Sequence, residues 1–431
     1  MITWRPAGLL ALALLTLPLW PAPWLALAGY IVVVLLVAGI DVLAATPLSR
    51  VRLGRDGVRQ LRLGDSGAVW LTVTNAGLSD LRAELRDVWP PSAGASRGKF
   101  VFTLGPGEHL TCENTLQPTR RGDRLAEQVV VRSYGPLRFG YRQSRKLAAP
   151  WTVRVLPPFT SRKFLPERLA RLRVFDGSVV TKGRGQGTEF DALREYVVGD
   201  DVRSIDWRGT ARRETVVVRT WRPERDRRVL CVLDTGRTSA ARVGDAPRLD
   251  SALDAALLLS ALASRANDRV DFLAVDTAVR AAVEGASQAT LMPKIVQAMA
   301  PLEPALVETD FGLVVAEVLR RERKRALVVL FTALEPGALG EGLLPILNRL
   351  TAKHTVILAA VHDPEVEQLA AQRSTVPDIY TAAAAERTLT ERRRVAAVLR
   401  KHGVHVVDAP ADQYAPAVAD LYLHLKATGR L

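Results

Sequence analysis

Cysteine is nearly absent from this chain, with two in 431 residues, Cys112 and Cys231. Two isolated thiols exclude a disulfide framework, and six histidines, scattered like the cysteines, leave no spacing for a zinc cluster. That usage fits a reducing, cytoplasmic setting. Aromatic residues are scarce at 6%, so there are few platforms on which bases could stack. Helix-turn-helix, ribonucleoprotein and zinc-finger patterns are missing. The formal net charge is +14 and the pI about 10.2. However, the basic residues run from Arg50 to Arg430 interleaved with acids, which is not the stripe that nucleic acid selects. A dispersed positive charge suits an anionic membrane surface better. Membrane lipid is therefore an expected partner and nucleic acid is not.

Catalytic patterns are missing too. Gly183, Gly185 and Gly187 could cradle a phosphate, but no Lys-Ser/Thr follows and no strand-to-helix context surrounds them, so they read as a turn. His109 and Cys112 read as ordinary strand neighbours. Neither a nucleophile–base pair nor a cofactor fingerprint stands out.

Apolar residues, at 48%, are ample for packed cores, and the length predicts two or three domains. Ala7 to Trp20 and Trp24 to Ile40 are almost wholly apolar, split by Pro21-Ala22-Pro23. Two helices of about 21 and 25 Å with a tight turn are predicted, a membrane hairpin over residues 1–45. Arg5 before it and Arg50, Arg52 and Arg55 after it place both ends in the cytoplasm. A cleaved signal peptide at Ala26-Leu27-Ala28 is the alternative, disfavoured by the apolar run continuing across that site.

Over residues 46–156 the pattern becomes period-two alternation, as in Ala68-Val69-Trp70-Leu71-Thr72-Val73-Thr74, punctuated by Asn75-Ala76-Gly77, Gly105-Pro106-Gly107 and Arg121-Gly122-Asp123. This reads as a small β-sandwich, a spacer or interaction module. Residues 157–226 read as a linker with a basic, partly helical stretch from Arg162 to Arg173, followed by the most distinctive run, Gly183 to Arg219. Phe190, Leu193 and Tyr196-Val197 recur at helical spacing there, predicting a short helix. Beyond it, Asp200, Asp201, Arg203, Asp206, Arg208, Arg212 and Arg213 mix carboxylates with guanidiniums. That mixture favours a structural ion-pair lattice, with Asp206 and Arg212 as the expected pair, over acid–base catalysis.

The run matches, without a gap, E-F-x-x-L-R-x-Y-x-x-G-D-x-x-R-x-I-D-W-x-x-T-A-R, through Glu189, Phe190, Leu193, Arg194, Tyr196, Gly199, Asp200, Arg203, Ile205, Asp206, Trp207, Thr210, Ala211 and Arg212. In this it resembles the bacterial family called domain of unknown function fifty-eight. The resemblance implies paired membrane helices, a β-rich region and a von Willebrand factor type A-like domain. It also implies a MoxR-type AAA+ ATPase as partner, since family members are typically encoded beside one.

From residue 227 apolar runs alternate with helical patterns: Val229 to Leu233, a helix around Leu249 to Ala263, Val270 to Val275, Leu327 to Phe331, Val356 to Val361 and Val404 to Val407. That alternation predicts an α/β domain over 227–431 with a mostly parallel, doubly wound sheet and ligands at the strands' carboxyl ends, where Asp234 falls. A type A metal site needs D-x-S-x-S, a Thr from a later loop and an Asp after another strand, hard oxygen ligands suited to Mg²⁺. Here the first element is Asp234-Thr235-Gly236-Arg237-Thr238, Thr309 before Asp310 fits the second, and Ala333 stands where the Asp belongs. The site is degenerate. If it binds Mg²⁺ at all, Asp234, Thr238 and Thr309 are the ligands, binding is weak, and Asp310 or Glu335 would have to substitute for the lost carboxylate. Otherwise Asp234 serves as a loop cap. His402, His405 and Asp408 are separated by Gly403, which argues against a common face. The combined expectation is a non-enzymatic membrane-anchored adaptor that binds protein; an enzyme of unrecognised class acting on envelope material is the alternative.

Overall fold

The structure is a computed structural model that describes residues 3–144, 147–179, 189–198, 200–213, 215–222 and 227–431. The chain divides into two compact units, Met1–Pro158 and Phe159–Leu431.

In the first unit the apolar runs form helices of unequal length, α1 (Arg5–Leu14) and α2 (Pro23–Ala44). The first was predicted to reach Trp20; it stops at Leu14 and gives way to a 3-10 turn over Leu17–Leu19. Pro18 is the cause, because its ring collides with the Leu14 carbonyl and disfavours helical geometry at Leu17. At the break, the Thr16 hydroxyl donates to the Ala13 carbonyl at 2.7 Å and lies 2.9 Å from the Tyr30 hydroxyl of α2. Among the described residues only the helix starting at Pro23 is long and apolar enough to cross a bilayer. Its 22 residues span about 33 Å, against a hydrocarbon core of roughly 30 Å.

β-Structure follows, in β1 (Val51–Gly57), β2 (Gln60–Arg62), β3 (Gly67–Asn75), β4 (Leu81–Asp87), β5 (Lys99–Leu104), β6 (His109–Leu116), β7 (Gly122–Tyr134), β8 (Tyr141–Gln143) and β9 (Leu147–Leu156). One sheet has the order β1-β3-β6; the other runs β2-β9-β7-β4-β5, with β8 on β7. Burial alternates along β3 and β4 as the period-two pattern predicts. The inward residues Leu71, Val73 and Cys112 of the first sheet pack with Leu81, Leu85, Val129 and Val131 of the second. A buried ion pair also joins the sheets, Arg55 on β1 with Asp87 on β4. Trp89 Nε1 donates to the same carboxylate at 2.8 Å.

The second unit opens with α3 (Leu165–Val179), then β10 (Glu189–Glu195), α4 (Trp207–Arg213) and β11 (Val217–Arg222). β10 replaces the helix predicted around Phe190 to Val197. It pairs antiparallel with β11, Leu193 opposite Arg219 and Glu195 opposite Val217, so ladder hydrogen bonds with a β-branched partner run override the local spacing.

From Arg228 strands and helices alternate: β12 (Arg228–Asp234), α5 (Arg237–Ala240), the tiny β13 (Arg242–Val243) and β14 (Ala246–Pro247), α6 (Arg248–Arg265), β15 (Arg269–Val275), β16 (Val279–Val283), α7 (Gln288–Met299), α8 (Phe311–Arg321), β17 (Leu327–Phe331), α9 (Leu347–Thr351), β18 (Thr355–His362), α10 (Pro364–Ala371), α11 (Val376–Lys401), β19 (His405–Pro410) and α12 (Ala411–Ala427). The sheet order is β16-β15-β12-β17-β18-β19, parallel except at the β16 edge. Leu230, Val232, Val328 and Leu330 pack against α8, α9 and α11. On the other face Cys231 meets Ser260 of α6. The predicted alternation and the parallel sheet are both present.

Candidate functional site

β12 is the first strand of its sheet, and the chain adds β15 on one side of it before returning to add β17 on the other. Where strand order reverses, the crossovers diverge and open a crevice at the carboxyl ends. Asp234 closes β12 in that crevice and is buried. Four donors converge on its carboxylate. Gly236 N–H donates to Oδ1 at 2.8 Å beside the Thr309 hydroxyl, while the hydroxyls of Thr238 at 3.0 Å and Thr332 at 2.6 Å donate to Oδ2. An ionised carboxylate offers about four lone-pair sites, so this one is saturated. Ser239 Oγ donates to the Asp234 carbonyl at 2.6 Å.

The structure thus brings Asp234, Thr238 and Thr309 together. It adds Thr332, which the sequence reading missed because a carboxylate was sought one residue later. Ala333 is buried; the hydroxyl immediately after β17 was the signal to follow. Gly236 also has a steric reason, since a Cβ there would lie 2.1 Å from Thr309 Oγ1 and 2.9 Å from the Val307 carbonyl. Without a side chain at 236, Thr309 reaches Asp234.

The proposed substitute ligands lie elsewhere. Asp310 caps α8 by accepting the Leu313 N–H at 3.0 Å, and Glu335 pairs with Arg248 at 3.0 Å. Helix-terminal N–H groups and a guanidinium hold those carboxylates instead. Among the described residues no cluster of three or more His, Cys, Asp or Glu is placed to hold a metal. What the site presents is one carboxylate with three threonine hydroxyls turned toward it.

Around the crevice, Arg237 is exposed and its Nε donates to Glu308 at 2.7 Å, an ion pair that holds the guanidinium above its ordinary pKa. Its N–H donates to the Val307 carbonyl at 2.8 Å. Beside this pair Leu306 is 81% exposed and Val307 38%. Asp276, just beyond β15, is desolvated, which pushes its pKa up. Arg280 Nε at 2.7 Å, the N–H groups of Thr277 and Ala278 and the Thr235 hydroxyl outweigh that and hold it below the ordinary value. Burial pushes the Cys231 thiol up to about 12, so it stays protonated and non-nucleophilic at neutral pH. His402 lies 3.2 Å from Asn348, and Asp408 pairs with Arg392 at 2.7 Å, so His402, His405 and Asp408 do not converge.

The motif residues build β10, α4 and the turn between them. Arg194 pairs with Asp200 at 2.5 Å, and Asp200 also accepts the Val197 N–H at 3.0 Å. Asp206 is the N-cap of α4, accepting N–H groups of Arg208 at 3.1 Å and Gly209 at 2.9 Å. These N–H bonds, Gly209's first, and Arg219 at 2.8 Å lower its pKa. Its guanidinium partner is Arg219 on β11 and not Arg212, which is exposed, because α4 carries Arg212 away while β11 returns past Asp206. Thr210 Oγ1 accepts the Val217 N–H at 3.1 Å, Arg203 N–H is bonded to Asp201, and Trp207 is exposed. Tyr196 N–H donates to the Val216 carbonyl, and Glu189 and Phe190 open β10. Gly199 and the glycines at 183, 185 and 187 lie outside the described residues.

Residues 192–404 match the model of the family described as Protein of unknown function DUF58. This part of the chain belongs to the DUF58 family. The DUF58 match takes in most of the motif and the whole Asp234 crevice. Uncharacterized proteins of Mycobacterium bovis and Mycobacterium tuberculosis are each 29% identical over 194 residues, 43% of this chain and 58% of the relative. The chain thus spans less than two thirds of the curated relatives it matches. Among solved structures, a CARDB domain from Pyrococcus furiosus has TM-score 0.20 at 14% identity, covering 26% of this chain and 94% of that one. An Escherichia coli alpha-2-macroglobulin structure has TM-score 0.21 at 16% identity, covering 26% and 17%. Likeness that low carries neither fold nor function.

Proposed function

We propose that this DUF58 chain is a non-catalytic, membrane-anchored adaptor. Its apolar hairpin sits in the bacterial cytoplasmic membrane with the soluble parts in the cytoplasm, and the β unit is a sandwich-like spacer. The α/β part is a von Willebrand type A-like domain whose carboxyl-end face docks a MoxR-type AAA+ ATPase, or that ATPase's client, without a metal ion. The observation that carries the reading is the saturated Asp234 beside exposed Leu306. A carboxylate whose lone pairs are all taken by Gly236, Thr238, Thr309 and Thr332 ties three loops together and offers nothing to a substrate. What faces outward is a leucine and a valine rimmed by the Arg237–Glu308 pair, the composition of a docking centre with a polar rim. α2 supports the membrane reading by its length, and Arg5 and Arg50 support the orientation.

The test is reconstitution of the full chain in vesicles and co-sedimentation with the purified neighbouring ATPase held in its ATP state. Retention of the ATPase by the wild type and its loss with Leu306→Asp is the expected result. Equal retention by both moves the docking surface elsewhere, and a chain released from vesicles by carbonate refutes the anchor.

A further inference from the structure

Asp41 lies in the last turn of α2, and its buried carboxylate is satisfied by the backbone of a distant loop. Oδ1 accepts the Leu137 N–H at 2.8 Å, and Oδ2 accepts those of Phe139 at 2.7 Å and Gly140 at 3.1 Å. Arg142 reaches back to the terminal carbonyls of α2, Val42 at 2.8 Å and Leu43 at 3.0 Å, as basic groups do at helix carboxyl ends. The start of the hairpin joins the same loop: Thr3 N–H donates to the Phe139 carbonyl at 2.9 Å and Arg5 Nη1 to that of Leu137 at 3.2 Å. Gly135 packs so close that a Cβ would fall 2.1 Å from the Asp41 carbonyl.

A second loop is tied to the segment just beyond the helix. Buried Thr46 donates to the Asp80 carbonyl at 2.9 Å and lies 3.1 Å from Ser79 Oγ, while Ala76 N–H donates to the Arg50 carbonyl at 2.9 Å. Both loops fall at one end of the β unit, since Arg82 pairs with Tyr134 and Val51 with Asn75. Each presents a bare leucine, Leu78 at 86% exposure and Leu137 at 51%. Arg5, Arg50 and Arg138 are exposed at the same end, and Trp4 is exposed beside Arg5.

Because the Asp41 carboxylate cannot leave these N–H groups without becoming an unpaired charge, the depth of α2 in a bilayer fixes the depth of both loops. We propose that loops 76–80 and 135–140 form a lipid-binding surface for an anionic bilayer interface. Leu78 and Leu137 enter the acyl boundary and Arg5, Arg50 and Arg138 meet headgroup phosphates, so the β unit stands fixed on the membrane. This rests on the membrane reading of α2, and the experiment separates the two.

Cys112 and Cys231 are buried, so a thiol-reactive fluorophore reports an introduced cysteine. Leu78→Cys, Leu137→Cys, Val33→Cys in mid-helix and Ser66→Cys at the opposite end of the β unit are labelled separately. Each full chain is placed in vesicles of phosphatidylcholine and phosphatidylglycerol carrying brominated acyl chains. Deep bromines quench the Val33 label, shallow bromines quench the Leu78 and Leu137 labels with an emission blue shift, and neither reaches the Ser66 label. Arg138→Glu reduces shallow quenching in the anionic vesicles only. If the Val33 label is unquenched, the membrane reading fails. If it is quenched while the Leu78 and Leu137 labels behave like that at Ser66, or are shielded from lipid and aqueous quenchers alike, the lipid surface is refuted and those loops face water or another protein.

Discussion

Asp234→Ala removes the acceptor that Gly236 N–H and three threonine hydroxyls share in a buried crevice. Leaving such donors unpaired is expected to lower unfolding free energy by roughly 3 kcal/mol in chemical denaturation; an unchanged midpoint would show that the donors have other partners. Gly236→Ser restores the hydroxyl of the metal-site pattern but puts a Cβ 2.1 Å from Thr309 Oγ1. It is therefore expected to destabilise the domain without conferring Mg²⁺ binding in calorimetry. Asp276 titrates below its ordinary pKa, so its stabilising contribution is present above the unfolded-state value and is lost as pH falls through the lower folded value. The stability gap between wild type and Asp276→Asn should hold at neutral pH and close below about pH 4. A gap that widens on acidification would reverse the assigned direction.

Elements read from sequence succeed where period and burial agree. β3 and β4 alternate because one face meets the opposite sheet, and β12, β17 and β18 read as nearly continuous apolar runs because helices cover both faces. β10 was misread because Phe190, Leu193 and Tyr196 fit a helical period while the strand that decides the matter, β11, lies more than twenty residues downstream and announces no pairing. For the same reason Asp206 was matched to nearby Arg212 in place of Arg219. The Arg55–Asp87 pair between the sheets was illegible too, since each residue alone reads as a surface charge. Asp87→Ala leaves Arg55 charged and buried, an expected loss of about 3–5 kcal/mol by thermal or chemical unfolding. A loss near zero would mean that water reaches the guanidinium.

Across the whole molecule, the α/β character was legible because apolar strand runs alternate with helical periods from Val229 onward, and Asp234, Thr238 and Thr309 meet in the fold. Thr332 and the Asp41 clasp were not legible, one because a hydroxyl took a carboxylate's place, the other because backbone N–H groups carry no residue identity. In the proposed adaptor the chain binds its partner through an apolar docking face while Asp234 is internal scaffolding. The affinity of the purified MoxR-type ATPase for full chain in nanodiscs, compared for Leu306→Asp and Asp234→Asn with folding checked by circular dichroism, tests it most directly. Leu306→Asp should weaken binding at least tenfold, about 1.4 kcal/mol, while Asp234→Asn, which preserves shape, leaves it unchanged. Loss of binding on Asp234→Asn with indifference to Leu306→Asp would overturn the apolar docking face and return the site to metal-dependent recognition.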